Sequence, residues 1–218
     1  MSLPILYSLQ NCPYAMRARL GLLLAQQGVM LRAVVMKNKP AAMLAVSPKA
    51  TVPVLVLDDG TVIDESLDIM IWALHENDPL NLLHSERSDA YPAMLALIEV
   101  HDTVFTSALS QYKYAVRYHS DDEIALRNQC ADYAMMLESR LSQHAYLMGD
   151  KVSLADYAIL PLIRQFARVD RQWYLQAPLP HLREWLNKHL QDQRFAKAMA
   201  KYPQWLETNE EFLFGQAD

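Results

Sequence analysis

Apolar positions along this chain follow two kinds of pattern, and the change comes near residue 78. Residues 3–9 are almost wholly apolar and predict a short buried strand. Asn11-Cys12-Pro13 then opens a helix, with Pro13 suited to its first position. Met16, Leu20, Leu23 and Leu24 keep helical spacing, and Gly28 is a stop signal. Residues 31–36 read as a second buried strand, 40–46 as a short helix or turn, and 52–57 as a β-branched apolar strand. Asp59-Gly60 is a hairpin signal, 61–64 the return strand, and 66–75 has helical spacing again. The order is β-α-β-α-β-β-α, an α/β layer spanning residues 1–77.

Residues 78–89 are polar, carry Pro79 and read as a linker. Residues 90–218 read as helix upon helix. From Tyr91, the positions Leu95, Ile98, Asp102, Phe105, Leu109 and Tyr112 step by fours and threes and predict one long helix, with Asp102 the only charge on that face. Leu126, Cys130, Tyr133, Leu137 and Leu141 form a second stripe. Residues 153–166 predict a third helix, which Pro161 should kink, and 181–190 and 193–201 predict shorter ones. No strand of comparable strength is expected here.

Composition narrows the function classes. Of the 218 residues, 52% are hydrophobic and 21% charged, which excludes a disordered chain, and five Gly argue against a many-turned all-β fold. A net charge of −5 and the lack of a basic-aromatic patch argue against a nucleic-acid partner. Two Cys do not make a disulfide scaffold, so a reducing, cytoplasmic location is expected. Residues 1–9 lack the basic start of a leader, and no apolar run reaches the ~18 residues of a membrane span, so no membrane partner is expected. The seven His are scattered without ligand spacing, so no metal site is expected.

The residue best placed for chemistry is Cys12, between a buried strand and a helix. The N–H groups and the positive dipole end of a helix N-terminus both favour a thiolate there. Arg17 and Arg19 would add positive charge if either turns toward the sulfur. Ala15 stands where a C-x-x-C pair would have its second thiol, so no disulfide between neighbours can form. Thr51-Val52-Pro53-Val54 puts a proline at the head of a strand, where no ladder donor is needed. In Asp64-Glu65-Ser66, Ser66 is a natural N-cap, and such a helix start can receive a ligand carboxylate while Glu65 accepts from an ammonium group. Further on, Ser153 and Asp156 form a capping box, with Val152 and Tyr157 spaced for its hydrophobic staple.

These segments, together with Asn38-Lys39-Pro40 and Gly149-Asp150, resemble in order and spacing a cytosolic glutathione transferase, over essentially the whole chain. The likeness is to the omega-class and glutaredoxin-like branch, in which cysteine replaces the usual tyrosine or serine. It implies an α/β thioredoxin-like N-terminal domain, an all-α C-terminal domain, a cis Pro53 and a glutathione site. By carry-over, Cys12 faces the glutathione sulfur and the Val52 backbone pairs with the cysteinyl part. Glu65 and Ser66 hold the γ-glutamyl head, and Lys39 takes the glycine carboxylate. The acceptor pocket of this fold lies between the domains, with Tyr14, Tyr112, Tyr114 and Tyr118 as candidates for its wall. A core or amphipathic-surface role is the competing reading for those on the helix.

A cysteine thiolate is both nucleophile and leaving group. The expected activity is therefore glutathione-dependent thiol transfer through a Cys12–glutathione mixed disulfide, acting on a small-molecule or protein disulfide: deglutathionylation or dehydroascorbate reduction. The alternatives are a transferase that conjugates or isomerises small electrophiles, and a non-catalytic binding or regulatory protein of the same fold. Homodimers are the norm of the resembled family, and two-domain glutaredoxin-type members can be monomeric. Cys130, on the apolar face of its helix, should be inert, and His101 is expected to be a satisfied structural histidine.

Overall fold

The short apolar runs at the start of the chain have no polar face to give to water, so they stack side by side. A computed structural model describes residues 2–216. β1 (Ile5–Ser8), β2 (Val29–Ala33), β3 (Val54–Val56), β4 (Val62–Ile63) and β5 (Phe212–Phe214) form one sheet in the order β4-β3-β1-β2-β5. β2 is parallel to β1, with Leu6 opposite Leu31. β3 is antiparallel to β1, with Leu6 opposite Leu55, and β4 is antiparallel to β3. β5 is antiparallel to β2, with Met30 opposite Leu213. It follows that β1, β2 and β4 run one way and β3 and β5 the other.

Three helices belong to the same unit: α1 (Pro13–Leu24), α2 (Ala41–Val46) and α3 (Ser66–Glu76). α1 and α3 pack against each other. A Cβ on Gly21 would stand 2.7 Å from the Met70 Cα, so only glycine permits this approach. A second apolar cluster joins Tyr7, Ala15, Val34, Met43, Val52 and Val54, and Cys12 packs at its border.

The second compact unit is Asn81–Gln191. It holds α4 (Ala90–Val100), a π-helical turn at His101–Phe105, α5 (Thr106–Tyr118), α6 (Glu123–Leu141), α7 (Leu154–Val169), α8 (Arg171–Gln176) and α9 (Pro180–Leu190). The single helix expected from residue 91 is therefore two helices joined by a wider turn. Threonine hydroxyls compete for the carbonyls of this stretch: Thr103 Oγ1 donates to Glu99 O at 2.7 Å and Thr106 Oγ1 to Asp102 O at 2.5 Å. His101 and Phe105 are buried and stacked, 4.9 Å between ring centroids, while Asp102 stays half-buried. His101 Nδ1 meets the Tyr133 hydroxyl at 3.1 Å, the structural role expected of it. α7 continues through Pro161 to Val169.

The domain limits differ from the sequence reading at two places. Within residues 78–89, the part from 81 onward belongs to the helical unit rather than to a solvated tether. Leu82 and His84 are buried there, Leu154 N–H donates to Leu82 O at 2.9 Å, and His84 Nε2 lies 3.0 Å from Val152 O. At the other end, 90–218 is not one helical domain. After α9 the chain returns, and α10 (Gln193–Ala198), α11 (Trp205–Thr208) and β5 belong to the first unit, which is Met1–Leu80 with Asp192–Asp218. Arg32 ties this return down. Its guanidinium lies 4.3 Å from the Trp205 ring centroid, donates to Glu211 Oε1 at 2.7 Å and to the Tyr7 hydroxyl at 2.8 Å.

Candidate active site

Strand direction gathers the candidate residues. β1, β2 and β4 end at the same edge of the sheet, and β3 begins there. The segments that leave or enter at that edge carry Cys12, Lys39, Val52-Pro53 and Glu65-Ser66 in turn. Four stretches far apart in sequence thus share one end of one sheet.

Cys12 is the N-cap of α1 and half-buried. Pro13 follows as the first helical residue and has no N–H to give. Met16 N–H makes the first helical bond, to Cys12 O at 2.9 Å, and no acidic residue stands in the first turn. The positive end of the helix dipole therefore falls at the thiol. Val52-Pro53 is cis, as the family resemblance implied, and Cys12 Sγ approaches Val52 O at 3.8 Å. Val52 and Pro53 are both buried.

Glu65, rather than Ser66, is the N-cap of α3; Ser66 is its first helical residue and is buried. The shift of one residue leaves Glu65 exposed, and Lys49 Nζ pairs with its Oε1. Lys49 also approaches Asp64 O at 3.5 Å, and Ser47 Oγ donates to Asp64 Oδ2 at 2.7 Å. The loop before β3 and the start of α3 are thereby tied together. Sequence reasoning left Lys49 out. The available signal was its place three residues before Val52, since a loop feeding the cis peptide must pass near Cys12. Lys39 follows the turn bridged by Val35 and Asn38 and is half-exposed.

The tyrosines divide. Tyr14 is exposed on α1, beside Cys12. Tyr112 is 1% exposed and packs its ring against Phe166, so it is core of the helical unit rather than a pocket wall. Burial pushes its phenol up to about 12, where it stays neutral. Tyr114 is 64% exposed, its ring tilted against that of Tyr118 with the centroids 4.4 Å apart, an amphipathic surface pair. Trp173 and Tyr174 both meet Phe166 edge-on and close the core.

Cys130 is fully buried on α6, and loss of solvation raises its thiol from 9.0 to about 12. At pH 8 it is protonated and inaccessible. Iodoacetamide at that pH is expected to label Cys12 alone in the folded protein and both cysteines in urea, as read by peptide mapping. The sign with pH follows. Above pH 9 the unfolded chain ionises this thiol and the folded one does not, so stability falls as the pH climbs from 9 toward 12.

Among the described residues no group of three or more His, Cys, Asp and Glu is placed to hold a metal, and no helix is long and apolar enough to cross a membrane. The sheet with helices, followed by a helical unit, is a thioredoxin-like domain with an all-α partner, the fold of glutathione transferases. Residues 6–81 match the glutathione S-transferase N-terminal domain and 121–188 the glutathione S-transferase C-terminal domain, about two thirds of the chain together. The chain belongs to the glutathione S-transferase superfamily.

A curated glutathione S-transferase of Emericella nidulans is 26% identical over 144 residues, 64% of this chain and 53% of that protein. The match thus spans about half the length of that relative. Among solved structures, a glutathione transferase family member from Pseudomonas fluorescens with two glutathione bound superposes with a TM-score of 0.79 at 17% identity, covering 91% of this chain and 92% of that one. A glutathione transferase from Phanerochaete chrysosporium in complex with oxidized glutathione gives 0.75 at 19%, covering 90% and 94%.

Proposed function

We propose that this protein is a glutathione-dependent thiol transferase of the cysteine type, with Cys12 as nucleophile. The observation that carries the reading is the half-buried Cys12 thiol at the α1 N-terminus, 3.8 Å from Val52 O on the cis-proline loop. A serine or tyrosine there could only hydrogen-bond a glutathione thiolate. A cysteine can exchange with it.

The Cys12 thiolate attacks the glutathionyl sulfur of a mixed disulfide RS–SG. A Cys12–SG bond forms, the S–S bond of the substrate breaks, and RS⁻ leaves and takes a proton from water. A glutathione thiolate then attacks the Cys12-linked disulfide. Glutathione disulfide leaves and the Cys12 thiolate returns, so one RS–SG and one reduced glutathione give RSH and glutathione disulfide. Continuous reduction by glutathione fits a reducing compartment such as the cytoplasm.

In this reading glutathione lies along the sheet edge. The Val52 backbone pairs with its cysteinyl unit, Lys39 takes the glycine carboxylate, and Glu65 with the Ser66 N–H end of α3 takes the γ-glutamyl head. The ammonium of that head must displace Lys49 from Glu65. Lys49 is then released beside the glutamyl carboxylate and becomes a second cation for it. The Lys49–Glu65 pair is exposed enough that it contributes less than about 1 kcal/mol to stability. Glu65→Gln is therefore expected to raise the KM for glutathione on the order of tenfold with an unchanged melting temperature. A lowered melting temperature with unaltered KM would make the pair structural instead.

The test of the reading is intact mass after incubation with oxidised glutathione. Wild type should gain one glutathionyl group, Cys12→Ser none, and excess reduced glutathione should remove it. A folded wild type without an adduct at Cys12 would sink the mechanism.

A further inference from the structure

We propose that Arg19 is a positioning residue for Cys12. Its buried guanidinium holds the β1–α1 loop in the shape that presents Sγ and sets a fixed positive charge beneath the thiol. The proposal rests on the thiol-transferase reading for the task it gives Cys12, but not for its test.

Arg19 lies on α1, seven residues after Cys12, and is 2% exposed. Nη1 donates to Ser8 Oγ at 2.5 Å and to Leu9 O at 3.0 Å, and Nη2 donates to Gln10 O at 2.6 Å. Nε donates to Ala198 O at 2.7 Å. One planar cation therefore grips the last residue of β1 and the two residues that follow it toward Cys12, and anchors them to the end of α10. Gln10 Nε2 adds a second tie to the same place, donating to Met199 O at 2.9 Å. A lysine could not reproduce this: it has a single nitrogen, and the four acceptors lie around a fork.

All four of these acceptors are neutral. A buried guanidinium without a carboxylate is costly, and burial does lower its pKa from 12.5 to about 10. It remains charged at neutral pH. Cys12 and Tyr202 are the groups whose charge pulls the other way, each favouring the protonated guanidinium. Leu9 O accepts from the Cys12 N–H at 3.3 Å as well as from Arg19 Nη1, so the guanidinium and the Cys12 backbone share one carbonyl. Tyr202, whose phenol burial raises, is neutral at pH 7. Lys201 lines the same cavity as Arg19, Tyr7 belongs to the apolar cluster that Cys12 borders, and Arg17 is buried on α1. Among the described residues no carboxylate lines that cavity.

The measurement is the rate of Cys12 alkylation by iodoacetamide against pH, in wild type, Arg19→Met, Arg19→Lys and Gln10→Ala, with circular dichroism to verify folding. Arg19→Met is expected to move the midpoint to higher pH and to slow alkylation at pH 7 about tenfold. Arg19→Lys should keep the wild-type midpoint but slow alkylation at every pH, because charge stays while the grip goes. Gln10→Ala, which removes a tie and no charge, should also leave the midpoint in place. A folded Arg19→Met with the wild-type profile would overturn the proposal, as would an Arg19→Lys or Gln10→Ala midpoint displaced as far as that of Arg19→Met.

Should Arg19→Met not fold, wild type alone decides. A buried charge is poorly screened, so the midpoint should hold between 0.1 and 1 M NaCl. A midpoint that climbs with salt would assign the effect to surface charges and overturn the proposal. Failure of the thiol-transferase reading looks different: no glutathione adduct at Cys12, with an alkylation midpoint that still follows Arg19.

Discussion

Cys12→Ser is expected to lower glutathione-dependent reduction of a mixed disulfide by on the order of a thousandfold or more, while the protein stays folded. The hydroxyl that replaces the thiol cannot form or release a disulfide, and no second cysteine can stand in. Cys130 is buried in the helical unit, and its thiol is held protonated well above neutral pH. The substitution removes one atom's chemistry at the N-cap of α1, a position where serine is itself a favoured residue, so no loss of stability is expected to confuse the result. The assay is the release of the thiol from a glutathionylated peptide, with the melting temperature as control. The same variant separates the two enzymatic readings. If conjugation of an electrophile to glutathione survives or rises in Cys12→Ser while thiol transfer vanishes, cysteine is what directs this site to exchange. If both activities are untouched, Cys12 is not the nucleophile.

The second large effect is structural. Asp156 is 0% exposed, and its two oxygens accept four hydrogen bonds in the helical unit. Oδ2 takes Ser153 N–H at 2.9 Å and Ser153 Oγ–H at 2.8 Å, which closes the capping box of α7. Oδ1 takes Leu147 N–H at 3.0 Å and Trp185 Nε1–H at 2.8 Å. One carboxylate thus fixes the start of α7, the loop before it and α9. Asp156→Ala would leave those donors buried without an acceptor, which costs about 3–5 kcal/mol. That is a large part of the stability of an ordinary domain and corresponds to roughly 10 °C in melting temperature. Asp156→Asn should fall between, because an amide oxygen replaces one acceptor while its NH2 faces donors. Urea denaturation followed by tryptophan fluorescence reads both. A loss below about 1 kcal/mol in Asp156→Ala would show that the network does not hold the helices.

Much of this was legible in the chain. The capping box stood out because all its parts lie within four residues, and local geometry is set by local sequence. The same holds for Pro13 at the start of α1 and for the hairpin at Asp59-Gly60, where a tight turn demands particular residues. The stripe from Leu126 to Leu141 marked α6, since a buried stripe must repeat with the helix, and helices were also expected at 153–166, 181–190 and 193–201, whereas α8 was not. Ser66 was displaced by one residue from cap to first helical position. A serine suits both places, and only the backbone distinguishes them.

What stayed hidden depends on pairings over distance. Phe212, Leu213 and Phe214 are three residues after a polar stretch, too few to carry an alternating signal, and they become β5 only because β2 offers an open edge opposite Val29, Met30 and Leu31. The π turn at His101–Phe105 leaves the apolar spacing nearly intact and so does not show in it. Tyr112 and Tyr114 differ by two places on one helix, yet one is core and the other surface, because α5 packs with a single face.

By itself, then, the sequence determined the α/β-then-helical order, the capping box at Ser153, the turn at Asp59-Gly60, and Cys12 as the thiol at a helix start. Those are properties of neighbours along the chain. Only the tertiary structure decided that residues 192–218 return to the first unit, that Lys49 reaches Glu65, and that Arg19 turns inward to bind Ser8, Leu9 and Gln10. A long flexible cation can satisfy its charge in water or in any pocket rich in acceptors, and which one it finds is settled by packing rather than by the residues beside it.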